Sequence, residues 1–147
     1  KSSPLIDQNA VMPSLEICNK IRELGFGKDV ITMLRRVKSV PKAAFQNSAE
    51  ERPTVKVHFD SIECVKPLIY ADKIEIVLVD DVITQGRTSY ACKQRILESF
   101  KGENVNVKLF TIVRTQHEGD YKLFNPMNGF IQYFETSGKT FHNLNVF

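Results

Sequence analysis

The stretch from Ile74 to Ser89 constrains the fold more than any other part of the chain. Ile74, Ile76, Val77, Leu78 and Val79 make a nearly continuous aliphatic run, mostly β-branched, the pattern of a central parallel strand covered on both faces. The run is expected to stop at Asp80 and Asp81, with a loop over 82–88 behind it. Residues 89–100 then place Cys92, Ile96, Leu97 and Phe100 in a helical stripe, with Ser89 near the helix start. Gly102 breaks that helix, and residues 105–113 supply a second strand. Strand, helix and strand in this order predict a β-α-β unit with a right-handed crossover, hence an α/β fold.

The flanks are less constrained. Pro13 suits a first helical turn, Ile17, Ile21 and Leu24 recur at helical spacing, and Gly25 supplies a stop, so a helix is expected over 13–24. Residues 35–53 lack periodicity and carry Arg36, Lys38, Lys42 and Arg52, so a long, mobile basic loop is expected there. Val55, Val57 and Phe59 alternate with Lys56 and His58, which reads as a half-buried strand. Residues 117–129 read as loop, and 129–134 as an edge or hairpin strand. A chain of 147 residues is expected to form one domain, 1–147, with a core that needs neither disulfide nor metal.

Charge excludes little. Twenty basic against 17 acidic residues give +3, too small a surplus to indicate nucleic-acid binding by electrostatics alone. Cys18, Cys64 and Cys92 are odd in number and contain no C-x-x-C pair, so neither a disulfide framework nor a zinc site is suggested and a reducing, cytoplasmic setting is expected. No apolar run approaches the ~20 residues of a membrane span, so no membrane partner is expected. His58, His117 and His142 are isolated and read as surface or packing residues, and Cys92 as helix core. The first residue is Lys1 rather than Met, so a further strand upstream is expected.

The chemistry concentrates in residues 77–89. Ligands in open α/β sheets bind beyond the carboxyl ends of the strands, where this chain sets two carboxylates. A loop bearing Thr84, Gly86 and Thr88 then runs into a helix N-terminus, whose free N–H groups favour a phosphate. Carboxylates accept from hydroxyls while the loop donates to phosphate oxygens, so a ribose 5-phosphate satisfies both.

This pattern of strand, two acidic residues, two apolar residues, hydroxyl residues, glycine and threonine resembles the phosphoribosyl pyrophosphate (PRPP) motif of type I phosphoribosyltransferases. Gln85 departs from it, standing where the family usually has a small residue. The resemblance implies a central parallel sheet flanked by helices. It implies that Asp80 and Asp81 contact the ribose hydroxyls and that Val82, Thr84, Gln85, Gly86, Arg87 and Thr88 surround the 5′-phosphate. It also implies Mg2+ at Asp80 and Asp81, bridging ribose hydroxyls and pyrophosphate. Residues 34–38 through 51–52, with the strand expected to end at Phe59, resemble the ComF-type branch, as do residues 111–115. That branch often carries a cysteine-rich finger, which is not visible here. In that branch Arg36 and Arg52 match the pattern and would neutralise the leaving pyrophosphate. Lys1, Ser2 and Ser3 stand where the family has its pyrophosphate loop.

The expected reaction is transfer of 5-phosphoribosyl from PRPP to a nitrogen nucleophile with release of pyrophosphate. Where purine-salvage members have an aspartate this chain has Thr84, which weighs against hypoxanthine or guanine as acceptor. The alternative is a catalytically silent domain that senses PRPP or another nucleotide bearing ribose 5-phosphate, as a regulator. A homodimer or a larger assembly is the setting left open for either. A receiver domain of response regulators also ends a strand in paired aspartates, but it lacks a phosphate loop of this kind behind them.

Overall fold

The computed structural model describes residues 12–41, 52–115 and 128–144. In chain order they form helix α1 (Pro13–Glu23), strand β1 (Leu34–Arg36), helix α2 (Val55–Asp60), strands β2 (Ile62–Cys64) and β3 (Ile74–Ile83), helix α3 (Arg87–Ser99), and strands β4 (Val105–Arg114), β5 (Gly129–Phe134) and β6 (Lys139–Leu144). The architecture is mixed α/β, with three two-stranded sheets among the described residues: β1 with β2, β3 with β4, and β5 with β6.

The expected β-α-β unit is present. β3 and β4 run parallel, Ile76 opposite Val107 and Asp80 opposite Thr111, with α3 connecting them. The helix buries Ile96 and Phe100 completely against Ile74, Val107 and Met33, with Leu78 and Leu97 packed at the margin. Losing a buried Phe or Ile side chain from such a core costs about 2–5 kcal/mol.

Two features of β3 differ from expectation. The strand does not end at the aspartates but runs through them to Ile83, because pairing of Val82 with Val113 continues the ladder past the carboxylates. It is also not covered on both faces. Val77 is 53% exposed and Ile112, on the same face of the pair, 61%, although Ile83 farther along that face is buried.

The expected strand over Val55, Val57 and Phe59 is instead α2. Thr54 caps it, its Oγ1 accepting from the Val57 N–H at 3.3 Å, and Lys56 pairs with Asp60 one turn on at 2.5 Å. Helical spacing keeps Val55 buried but exchanges the next two, turning Val57 outward and burying His58. Arg95 of α3 seats α2: its guanidinium lies 3.6 Å over the Phe59 ring and donates to the Phe59 carbonyl at 2.7 Å.

The basic segment is not all loop. Residues 34–36 pair with 62–64, Leu34 opposite Cys64 and Arg36 opposite Ile62. Residues 42–51, the middle of that segment, lie outside the described residues, as do Lys1, Ser2, Ser3 and all but the last two residues of the loop expected over 117–129. The strand expected over 129–134 is β5, in a hairpin with β6.

Candidate anion and diol site

Behind β3 the chain turns through Thr84, Gln85 and Gly86 and enters α3 at Arg87, two residues earlier than the Ser89 start that the sequence suggests. Gly86 is the N-cap residue, with φ +76°, a left-handed conformation that side chains with a Cβ rarely adopt. No side chain caps the helix, and the first helical bond runs from the Tyr90 N–H to the Gly86 carbonyl at 2.8 Å. The N–H groups of the first turn are therefore unused by the helix and offered to an anion.

Gly86 has a second reason to be glycine. A Cβ there would come within 2.8 Å of the Ile131 side chain on β5. The open side of this α-carbon thus meets the β5–β6 hairpin. Thr140 of β6 also reaches the loop, donating its hydroxyl proton to the Gln85 carbonyl at 2.7 Å, and Tyr133 lies 4.9 Å from the Tyr90 ring.

The loop also lines a cavity of about 210 Å³. Arg36, Arg52, His58, Asp80, Val82, Thr84, Gln85, Gly86, Arg87 and Thr88 all line it. Nine of these are the residues that the sequence marks out, brought together from β1, β3, the 52–53 segment and the start of α3. A second cavity adjoins it, sharing Arg36, Asp80, Thr88 and Ser89. Lys38 lines neither, and Lys42 is outside the described residues.

The first cavity is strongly cationic. The Arg36 guanidinium donates to the Ser61 hydroxyl, which donates in turn to the His58 carbonyl at 2.7 Å, tying β1 to α2. Arg87 donates to the carbonyls of Arg52 and Pro53 at 3.0 and 3.3 Å. Burial lowers the affinity of Arg36 and of Arg87 for their protons, the neighbouring Arg52 adding to the effect at Arg87. The guanidinium Nε of Arg52, that of Arg87 and Oε1 of Gln85 are buried without a hydrogen-bond partner among the described residues. Guanidinium groups crowded together and partly buried are costly, and an anion in the cavity would offset their charge.

The sequence reads His58 as a surface or packing residue, because it stands isolated from other metal-ligating side chains. In α2 it is buried, with Thr88 Oγ1 3.4 Å from Nε2. Burial, then the charges of Arg36 and Arg87, push its pKa down to about 4, so the imidazole is neutral near pH 7. The Pro53–Thr54 capping signal and the i, i+4 pair Lys56–Asp60 were the available sequence clues.

Of the two aspartates only Asp80 lines the cavities. Asp81 turns back on its own strand end, its Oδ1 accepting from the Val82 N–H at 3.0 Å. Burial and the adjacent Asp81 carboxylate push Asp80 up to about 6. No cluster of three metal-ligating side chains occurs among the described residues. Two adjoining carboxylates nevertheless suit a hard divalent cation that takes its remaining oxygens from water and ligand, and its charge would relieve the strain at Asp80. Cys92, on α3, is pushed up to about 11 by burial, so its thiol stays protonated and inert.

The chain matches no family model, no curated protein and no solved structure in comparisons with each.

Proposed function

We propose that this chain has a type I phosphoribosyltransferase fold, of the ComF-like branch, and transfers 5-phosphoribosyl from PRPP to a nitrogen nucleophile. The observation that carries this reading is the meeting, on one cavity, of the Asp80 carboxylate, the uncapped N-terminus of α3 and the guanidinium groups of Arg36 and Arg52. Hydroxyl acceptor, phosphate donors and a second cationic group are the three requirements of a ribose phosphorylated at both ends. Arg36 and Asp80 also line the adjoining cavity, which is consistent with a ligand longer than one phosphate.

In this reading Asp80 accepts hydrogen bonds from the ribose hydroxyls, with Asp81 beside it. The N–H groups of residues 86–88 and the Thr88 hydroxyl hold the 5′-phosphate. Arg36 and Arg52 face the pyrophosphate and stabilise the charge that grows on it as the bond to ribose C1 breaks. Asp80 and Asp81 would hold Mg2+, which neutralises charge on the leaving group. Catalysis then consists of positioning and charge stabilisation, without a covalent intermediate.

A silent PRPP- or nucleotide-sensing domain is the second reading, and Thr84 favours it. Thr84 is exposed and carries a hydroxyl, too weak a base to deprotonate an incoming ring nitrogen. Pyrophosphate release from PRPP and Mg2+ across a panel of bases, amines and ammonia separates the two. Acceptor-dependent release identifies the transferase. Binding of PRPP with no release by any acceptor identifies the sensor, and absence of binding eliminates both.

A further inference from the structure

We infer that Thr140 is a positioning residue for the phosphate loop, its hydroxyl fixing the Gln85–Gly86 peptide so that the Gly86 N–H faces the anion. This inference rests on the phosphate-binding reading given above. Thr140 is only 3% exposed, in a hairpin whose neighbouring Phe130 and Phe141 are more than half exposed. Its Oγ1 donates to the Gln85 carbonyl at 2.7 Å across 55 residues of sequence.

A trans peptide puts its C=O and N–H on opposite sides. Among the described residues none of the hairpin lines the cavity, whereas Gln85 and Gly86 both do, which sets hairpin and cavity on different sides of the loop. A carbonyl drawn toward Thr140 therefore leaves the Gly86 N–H pointing away from the hairpin, on the cavity side. The restraint is needed because glycine allows this peptide to turn over at little cost. Turned over, it would present a carbonyl dipole to a bound phosphate and oppose it. Ile131 against Gly86 and Tyr133 against Tyr90 hold the hairpin on the loop, so the hydroxyl is delivered at a fixed height.

The test follows backbone amide resonances during titration with ribose 5-phosphate. In the wild type the Gly86 amide proton should move downfield as the ligand saturates. Thr140→Val, which keeps shape and removes the donor, should weaken binding about tenfold, the loss of one hydrogen bond, and Thr140→Ser should restore it. A purely structural role would lower the melting temperature without this serine rescue of affinity. A folded Thr140→Val protein that binds within twofold of wild type overturns the inference alone. So does a wild-type Gly86 amide that stays still while other loop amides respond, a result that needs no variant to fold. If wild type binds no ribose 5-phosphate, the phosphate-site reading itself fails and takes this inference with it.

Discussion

The Arg87 guanidinium donates to the main-chain carbonyl of Arg52 at 3.0 Å, binding the first residue of α3 to the end of the basic segment 35 residues earlier. Arg87 is thus engaged with backbone as well as lining the cavity, and it sets where the Arg52 side chain enters. Both carbonyls are served by one nitrogen, Nη1, at the end of the long guanidinium side chain, and the compact, more strongly hydrated ammonium of a lysine is a poor substitute for it there.

Arg87→Lys should therefore act through Arg52. Removal of a charge-assisted hydrogen bond to each carbonyl should weaken PRPP binding about tenfold or more, while ribose 5-phosphate, which lacks the pyrophosphate, should lose much less. Competition calorimetry with both ligands checks this, and equal losses would place Arg87 on the 5′-phosphate instead.

The two buried ionisable groups of the cavity make opposite demands on pH. His58 falls from 6.5 to about 4 on folding, so the unfolded chain holds more protons in that window and stability rises with pH from about 4 to 6.5. Asp80 rises from 3.8 to about 6, so the folded chain holds more protons and stability falls with pH across nearly the same window. Each contribution is about 2 kcal/mol once solvent screening of partly buried groups is allowed for. Wild type should show a shallow profile between pH 4 and 6.5, Asp80→Asn a rising one and His58→Gln a falling one. Urea unfolding at stepped pH reads all three.

At pH 7.5 and without ligand, Asp80→Asn should be more stable than wild type, because it removes a carboxylate held ionised against burial and a neighbouring charge. The same variant should lose ligand-induced stabilisation. A raised melting temperature with lost binding is the signature of a group placed for function at a cost in stability.

The central unit was legible and the rim of the site was not, for identifiable reasons. The run Ile74–Val79 and the stripe Cys92, Ile96, Phe100 each fit a single period, so β3, α3 and their order follow directly. Segment 55–60 fits two periods, since Val-Lys-Val-His-Phe alternates and also turns, and six residues are too few to decide. The outcome rests on one Thr54 cap and on Arg95, 36 positions from Phe59. Ile62–Cys64 and the embrace of the loop by β5 and β6 are long-range pairings with no local signal. The path of β3 beyond the aspartates was hidden because acidic residues are poor strand formers, and only the ladder with β4 carries them.

Thr54→Ala should cost about 1 kcal/mol through α2, with ligand affinity falling as His58 and the Ser61 bridge to Arg36 shift. Thermal unfolding with and without ligand separates the two effects.

Arg36→Ala and Arg52→Ala should lower kcat far more than they weaken PRPP binding, because the leaving-group charge they face is greatest in the transition state. Proportional losses in both would assign them to ground-state binding.

The central claim is that Asp80, with Asp81, and the loop before α3 form one site for a phosphorylated ribose. Calorimetric titration of PRPP with Mg2+ into wild type and into Asp80→Asn/Asp81→Asn tests it most directly. The account predicts saturable one-site binding by wild type, dependent on Mg2+ and absent from the folded double variant. Equal binding by both proteins, or none by wild type, would contradict it.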